Sequence, residues 1–159
     1  EVDVKTVELL RNVAFFDGLS DMQRDAIAGI ASVKTFQKGE TVFAEGAAGE
    51  EFYIVSNGTV AINKNIAGGR KRNLSNMHEG DVFGELSLFD SQPRSADAEV
   101  MEDAELIVLP NSEFLSVLQS DPSLANTIKS CVISILCERL RRTDEMLKEG
   151  VIWGFSMEF

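Results

Sequence analysis

In the run Phe83-Gly84-Glu85-Leu86-Ser87-Leu88-Phe89, followed after three residues by Pro93-Arg94-Ser95-Ala96, a carboxylate and a guanidinium bracket one short loop-helix-loop. Gly84 admits backbone dihedrals that a side chain forbids, and Glu85-Leu86-Ser87-Leu88 can then wind into about one helical turn whose first N–H groups are unpaired. Such an N-terminus favours an anion. Arg94 adds a planar fork of donors suited to two phosphate oxygens, and Ser95 adds a hydroxyl for a third atom. Glu85 would repel a phosphate, so its expected work is to accept a hydrogen bond from a sugar hydroxyl, as carboxylates do from a ribose 2'-OH. A sugar and a phosphate held side by side amount to a nucleotide.

The rest of the composition bounds what such a site can belong to. With 159 residues, 44% of them apolar, the chain can bury one good core and is about one domain long. Fifteen basic against 26 acidic residues give a net charge of −11, which disfavours DNA, RNA and anionic membranes as partners of the bulk surface. An anionic ligand must therefore be held by a local positive site, which salt permits by screening exposed charges beyond about 8 Å. No stretch approaches the roughly 18 consecutive apolar residues of a membrane span. The chain opens on Glu1 with no charged-then-apolar leader, and is expected to be processed or to be a piece of something longer. Cys131 and Cys137 sit on one helix facing different ways, too far apart for an intrachain bridge. Free thiols indicate a reducing setting, so the cytoplasm is the expected compartment.

The elements that must position the pair follow from periodicity. Residues 1–30 read as N-terminal helices: Val4, Val7, Leu10 and Arg11 begin an amphipathic turn or two, and the loop Phe15-Phe16-Asp17-Gly18-Leu19 brings apolar residues to the core. Ser20 then caps a second helix with Gln23 in a capping-box position, and Met22, Ala26, Ile27 and Ile30 recur at helical spacing. From 31 to 110 the period becomes two and glycines punctuate runs of strand length, the pattern of a small antiparallel barrel or jelly roll. Asn57-Gly58 suits a two-residue hairpin turn between strands 51–56 and 59–63, and Gly68-Gly69 suits a second one joining 60–66 to 70–77.

Residues 111–149 return to helix, with Ser112 to Gln119 short and Asp121-Pro122 opening a long one. Along it Leu124, Ile128, Cys131, Val132, Ile135, Leu136, Leu140, Thr143 and Leu147 form a stripe that suits packing on the barrel and a dimer seam equally. Glu138–Arg142, Arg141–Glu145 and Asp144–Lys148 are i,i+4 charge pairs expected on its outer face. Residues 150–159 form an apolar tail whose Trp153 and Phe155 suit packing on the protein's own core, a lid, or a docking strip. Eleven residues after Lys148 are too few for a helix-turn-helix, so no nucleic acid is expected to bind this chain alone.

The segment from Phe83 to Ala96 resembles the phosphate-binding cassette of the cyclic-nucleotide-binding domain family, the type found in the catabolite activator protein and in kinase regulatory subunits. Lys38-Gly39-Glu40, Phe43-Ala44-Glu45-Gly46, Phe52-Tyr53-Ile54-Val55 with Gly58, Leu106 to Pro110 and Leu140-Arg141-Arg142-Thr143-Asp144 match as well, so the likeness runs from about residue 9 to about residue 148. It implies a mainly β fold, a double-stranded β-helix (jelly-roll) barrel with N-terminal helices and a long C-terminal helix. It implies ligand contacts from Phe83, Gly84, Glu85, Leu86, Ser87, Arg94, Ser95 and Ala96, and contacts to the base from Leu140, Thr143 and Asp144. The ligand is a cyclic mononucleotide, and no further cofactor is implied. Within the family an Ala after the Arg tends to accompany cyclic AMP and a Thr cyclic GMP, while Ser occurs in a cyclic-AMP-binding member, so Ser95 favours cyclic AMP over cyclic GMP.

The function so implied is regulatory and non-catalytic, with binding transmitted through the C-terminal helix and a homodimer through that helix as a partner. A metal enzyme on a cupin-like barrel would need two or three His beside a carboxylate, and the sequence holds His78 alone. A Ser-His-Asp set has no other histidine to draw on. A scaffold or interaction domain of the same fold with a vestigial pocket is the remaining alternative.

Overall fold

The computed structural model describes residues 4–156, with side chains described for 6–150. Two short helices come first, α1 (Val4–Arg11) and α2 (Asp21–Ala28), separated by a 3-10 turn over Ala14–Phe16. The expected capping box is present: the Ser20 side chain accepts from the Gln23 amide at 3.2 Å, and the Gln23 side chain accepts from the Ser20 amide at 3.1 Å. Met22, however, faces solvent, and Ile27 carries the burial of this helix.

Strands β1 (Ser32–Phe36), β2 (Thr41–Phe43), β3 (Glu51–Ile66), β4 (Arg70–Met77), β5 (Val82–Phe83) and β6 (Asp97–Pro110) form one antiparallel sheet in the order β1-β6-β3-β4. β2 pairs with β6 and β5 with β3 at its margins. The two long strands β3 and β6 carry apolar runs whose alternate residues go to opposite faces. Phe52, Ile54, Ile107 and Leu109 enter a core shared with the helices, whereas Tyr53, Val55, Leu106 and Val108 enter a second core inside the roll.

The Gly68-Gly69 connection joins β3 to β4 as a hairpin, as its sequence predicts. Asn57-Gly58 does not turn the chain: β3 continues through it for 16 residues, and its pairing with β6 shifts register at Val55/Asn57, Asn57/Thr59 and Thr59/Val60. Gly58 has the positive φ expected of a turn, 88°, but uses it for a bulge that bends the strand. A Cβ there would lie 2.5 Å from the Asp103 carbonyl oxygen and 2.8 Å from the Ala104 Cα, so the position is closed to other residues by its neighbour as well as by its dihedrals.

After β5 comes α3 (Leu86–Asp90), and after β6 come α4 (Asn111–Ser120) and α5 (Pro122–Ser156). Asp121 caps α5, accepting from the Leu124 amide at 3.0 Å and from the Gln23 side chain at 2.9 Å, which ties the start of α5 to α2. Leu124, Ile128 and Val132 then seat α5 on the helical side of the core. The helix continues through Gly150, where the sequence reading places a tail; the packing expected of Trp153 and Phe155, and residues 157–159, lie outside the described residues. The outer-face ion pair is Glu145–Lys148 at 3.9 Å, i,i+3, and the Glu138 and Arg142 expected to pair there line a cavity instead. No helix among the described residues is long and apolar enough to cross a membrane.

Gly58→Ala is expected to destabilise by about 3 kcal/mol, strain and steric conflict together, whereas Gly68→Ala, where a Cβ would meet Arg70 Nε at an ordinary contact distance of 4.0 Å, costs about 1 kcal/mol from strain alone. Urea midpoints of the two variants check the ordering, and equal costs would contradict the bulge account.

Candidate functional site: a buried carboxylate and guanidinium under the long helix

A cavity of about 1170 Å³ lies between the mouth of the roll, α3 and α5. Gly84 begins its floor. Its φ of 78° turns the chain out of β5, and its carbonyl accepts from Arg94 Nη1 at 2.9 Å. A Cβ on Gly84 would stand 2.8 Å from that same nitrogen, so the missing side chain is what admits the guanidinium. Arg94 Nη2 donates to the Glu51 carbonyl at 2.6 Å, and the guanidinium carbon lies 4.1 Å from the Phe43 ring centroid. Phe83 stacks on Tyr53 at 5.2 Å and packs against Phe43, completing an aromatic bed behind the arginine. Arg94 is buried, its Nε has no partner in the described structure, and donors on its fork remain for a ligand anion.

The same close packing holds Ser87. Gly49 passes so near it that a Cβ would fall 2.3 Å from the Ser87 side chain. Burial, and then the hydrogen bond to Glu51, push the Tyr53 phenol up to about 12, so it stays protonated beside Arg94.

Glu85 is fully buried at the start of α3. One carboxylate oxygen, Oε1, is bonded by Arg139 Nη1 from α5, and Arg139 Nη2 donates to the Val82 carbonyl at 2.7 Å. The other oxygen, Oε2, has no partner in the described structure. An unpartnered, buried acceptor on a residue that lines the cavity, near a guanidinium with donors to spare, suits a hydroxyl and an anion joined in one small molecule. Four arginines, Arg72, Arg94, Arg139 and Arg142, and three acidic residues, Asp81, Glu85 and Glu138, line the cavity, a slight local excess of positive charge in a chain whose net charge is −11.

Residues 33–121 match the model of the cyclic nucleotide-binding domain. The chain belongs to that family. It is 30% identical over 135 residues to a cyclic AMP receptor protein of Thermus thermophilus, covering 85% of this chain and 61% of that one. It is also 30% identical over 111 residues to a cAMP-dependent protein kinase regulatory subunit of Candida albicans, covering 70% of this chain and 23% of the relative. The regulatory domain of Toxoplasma gondii PKA, solved with cAMP, superposes with a TM-score of 0.69 at 25% identity, over 79% of this chain and 49% of that one. The chain thus spans less than two thirds of the length of these relatives.

Within this family frame, Phe83, Gly84, Glu85, Leu86, Ser87, Arg94, Ser95 and Ala96 all line the cavity, which brings the whole expected cassette together. Of the three residues expected from α5, Thr143 lines it, while Leu140 is 63% exposed and neither it nor Asp144 lines it. Leu140 and Asp144 are thus placed apart from the site, because the helix turns a different face to it. Continuing the buried steps Ile128, Val132, Ile135 by four residues reaches Arg139 and then Thr143. Arg139, which bonds Glu85 and lines the cavity, is the residue absent from the sequence expectation, and that continuation is the signal that locates it. Among the described residues no three His, Cys, Asp or Glu converge as a metal site.

Burial is the largest influence on Glu85 and raises its carboxyl above the usual range, with Arg139 opposing the rise. A carboxyl raised in the folded state favours folding while protonated, and that contribution is lost as pH rises through the folded value. Arg139→Met removes the opposing charge. Its destabilisation is expected to be small in acid and to grow with pH, reaching about 1–3 kcal/mol at neutrality, less than a fully buried pair costs because Arg139 is 34% exposed. Urea unfolding from about pH 4 to pH 8 measures it, and a cost constant with pH would contradict the pairing.

Proposed function

We propose that this chain is a non-catalytic regulatory domain that binds a cyclic nucleotide, cyclic AMP in preference to cyclic GMP, and passes binding to α5. The observation that carries the proposal is the carboxylate of Glu85, buried, held on one oxygen by Arg139 of α5 and unpartnered on the other, near Arg94. The ligand's cyclic phosphate takes the spare donors of Arg94, with the Ser95 hydroxyl close by. The ribose 2'-OH donates to Glu85 Oε2. Ligand and helix then meet at a single carboxylate, so whatever fixes the sugar also favours one placement of α5, and the difference in affinity between placements is the signal.

The preference for cyclic AMP rests on Ser95 and on the relatives, two of whose names carry that nucleotide. The output also has an outlet. Ile133, Leu136 and Leu140 are exposed on α5 at steps of three and four residues, the start of an a/d seam suited to a second copy of the chain, while Leu147, one heptad beyond Leu140 and also exposed, borders the cavity.

Thermal unfolding with and without ligand tests this reading. Cyclic AMP at 100 times its dissociation constant is expected to add about 2.7 kcal/mol of stability. Arg94→Ala removes most of that gain and Glu85→Ala part of it, and light scattering on the same samples returns the mass of two chains, halved by Leu140→Lys. No shift with millimolar cyclic AMP or cyclic GMP would leave a scaffold domain with a vestigial pocket as the better account.

A further inference from the structure

The segment that carries Arg94 belongs to no regular element: α3 ends at Asp90 and β6 begins at Asp97. Its course is fixed from outside. The Arg94 amide donates to the Ala47 carbonyl and the Gly46 amide to the Arg94 carbonyl, both at 2.8 Å, so the loop 45–47 grips the backbone of the arginine directly. That loop is in turn held by a chain of charges. Glu45 accepts from Lys64 Nζ at 2.5 Å and from the Asn65 amide at 2.9 Å, and the Glu45 amide donates to Asp97 Oδ1 at 2.6 Å. Lys71 holds the other oxygen of Asp97 at 2.9 Å. Lys64 stands at the junction, because the same ammonium also donates to the Ser95 carbonyl at 2.7 Å. Three donors on one flexible stem allow it to serve the carboxylate and the carbonyl together.

We propose that Lys64, outside the cavity, is a positioning residue for the anion site: it pins Ser95 and the 45–47 loop so that the Arg94 guanidinium faces the cavity in the geometry a phosphate requires. The assignment rests on reading 94–96 as the phosphate-holding segment. Lys64 is 44% exposed, and a solvent-screened pair of this kind contributes little to global stability. Its effect falls on the local opening of an irregular segment, whose amides are released independently of the core. A small displacement there matters because recognition by a planar fork is directional.

Backbone amide hydrogen exchange on the ligand-free protein is the test, joined by calorimetric titration with cyclic AMP. Lys64→Met is expected to speed exchange at Arg94 and Gly46 by about tenfold or more while Ile54 and Leu106 keep their protection, and to weaken cyclic AMP by about tenfold. Lys64→Arg restores both. Unchanged exchange at Arg94 and Gly46 would overturn the proposal, as would faster exchange with wild-type affinity, or loss of protection at Ile54 and Leu106 as well, which would mark a general structural role. If the wild-type chain binds no cyclic nucleotide, the proposed function fails, and the exchange at Arg94 and Gly46 still decides whether Lys64 fixes the segment.

Discussion

A carboxylate removed from water must be paired, and Glu85 is paired by an arginine that comes from another part of the chain. Much of the architecture serves that meeting. Asp121 fixes where α5 begins, the apolar steps Leu124, Ile128 and Val132 fix its rotation, and the helix arrives over the mouth of the roll with Arg139 facing inward. The pairing leaves one carboxylate oxygen unclaimed. An incompletely satisfied buried group is costly, and a site that holds one has a driving force to take up the hydroxyl that completes it.

The guanidinium half of the site is built by subtraction. Gly84 and Gly49 lack the side chains that would strike Arg94 and Ser87, and the space they leave is filled by the arginine fork and the first turn of α3. Two backbone carbonyls, from Gly84 and Glu51, orient the fork, and the aromatic bed of Phe43, Tyr53 and Phe83 supports it from behind. Burial pulls the Arg94 guanidinium below its ordinary value, but an arginine begins so high that it remains charged. This is how a strongly acidic chain keeps a local, buried cation.

What was legible in the sequence was whatever depends on neighbours in the chain. The cassette could be read because Glu85, the glycine before it and Arg94 after it act within one short segment, and the Ser20 capping box and the Gly68-Gly69 turn are equally local. Gly58 departs from the turn its sequence suggests because a positive φ serves a turn and a bulge alike, and the choice is made by β6 passing beside it. On α5 the sequence stripe merges two faces: Ile128, Val132, Ile135 and Thr143 follow the side that leads from the core to the cavity, whereas Leu136 and Leu140 are exposed. Arg139 is not legible from local sequence because its partner lies 54 residues away, and Lys64 likewise bonds a carbonyl 31 residues distant.

The claim that Glu85 is a sugar acceptor shared with α5 is tested most directly by comparing calorimetric affinities for cyclic AMP and its 2'-deoxy analogue. The account predicts at least about a tenfold weaker binding of the deoxy ligand, the loss expected when a buried charged acceptor goes without its hydroxyl. Equal affinities would contradict it, since the carboxylate would then play no part in holding the sugar.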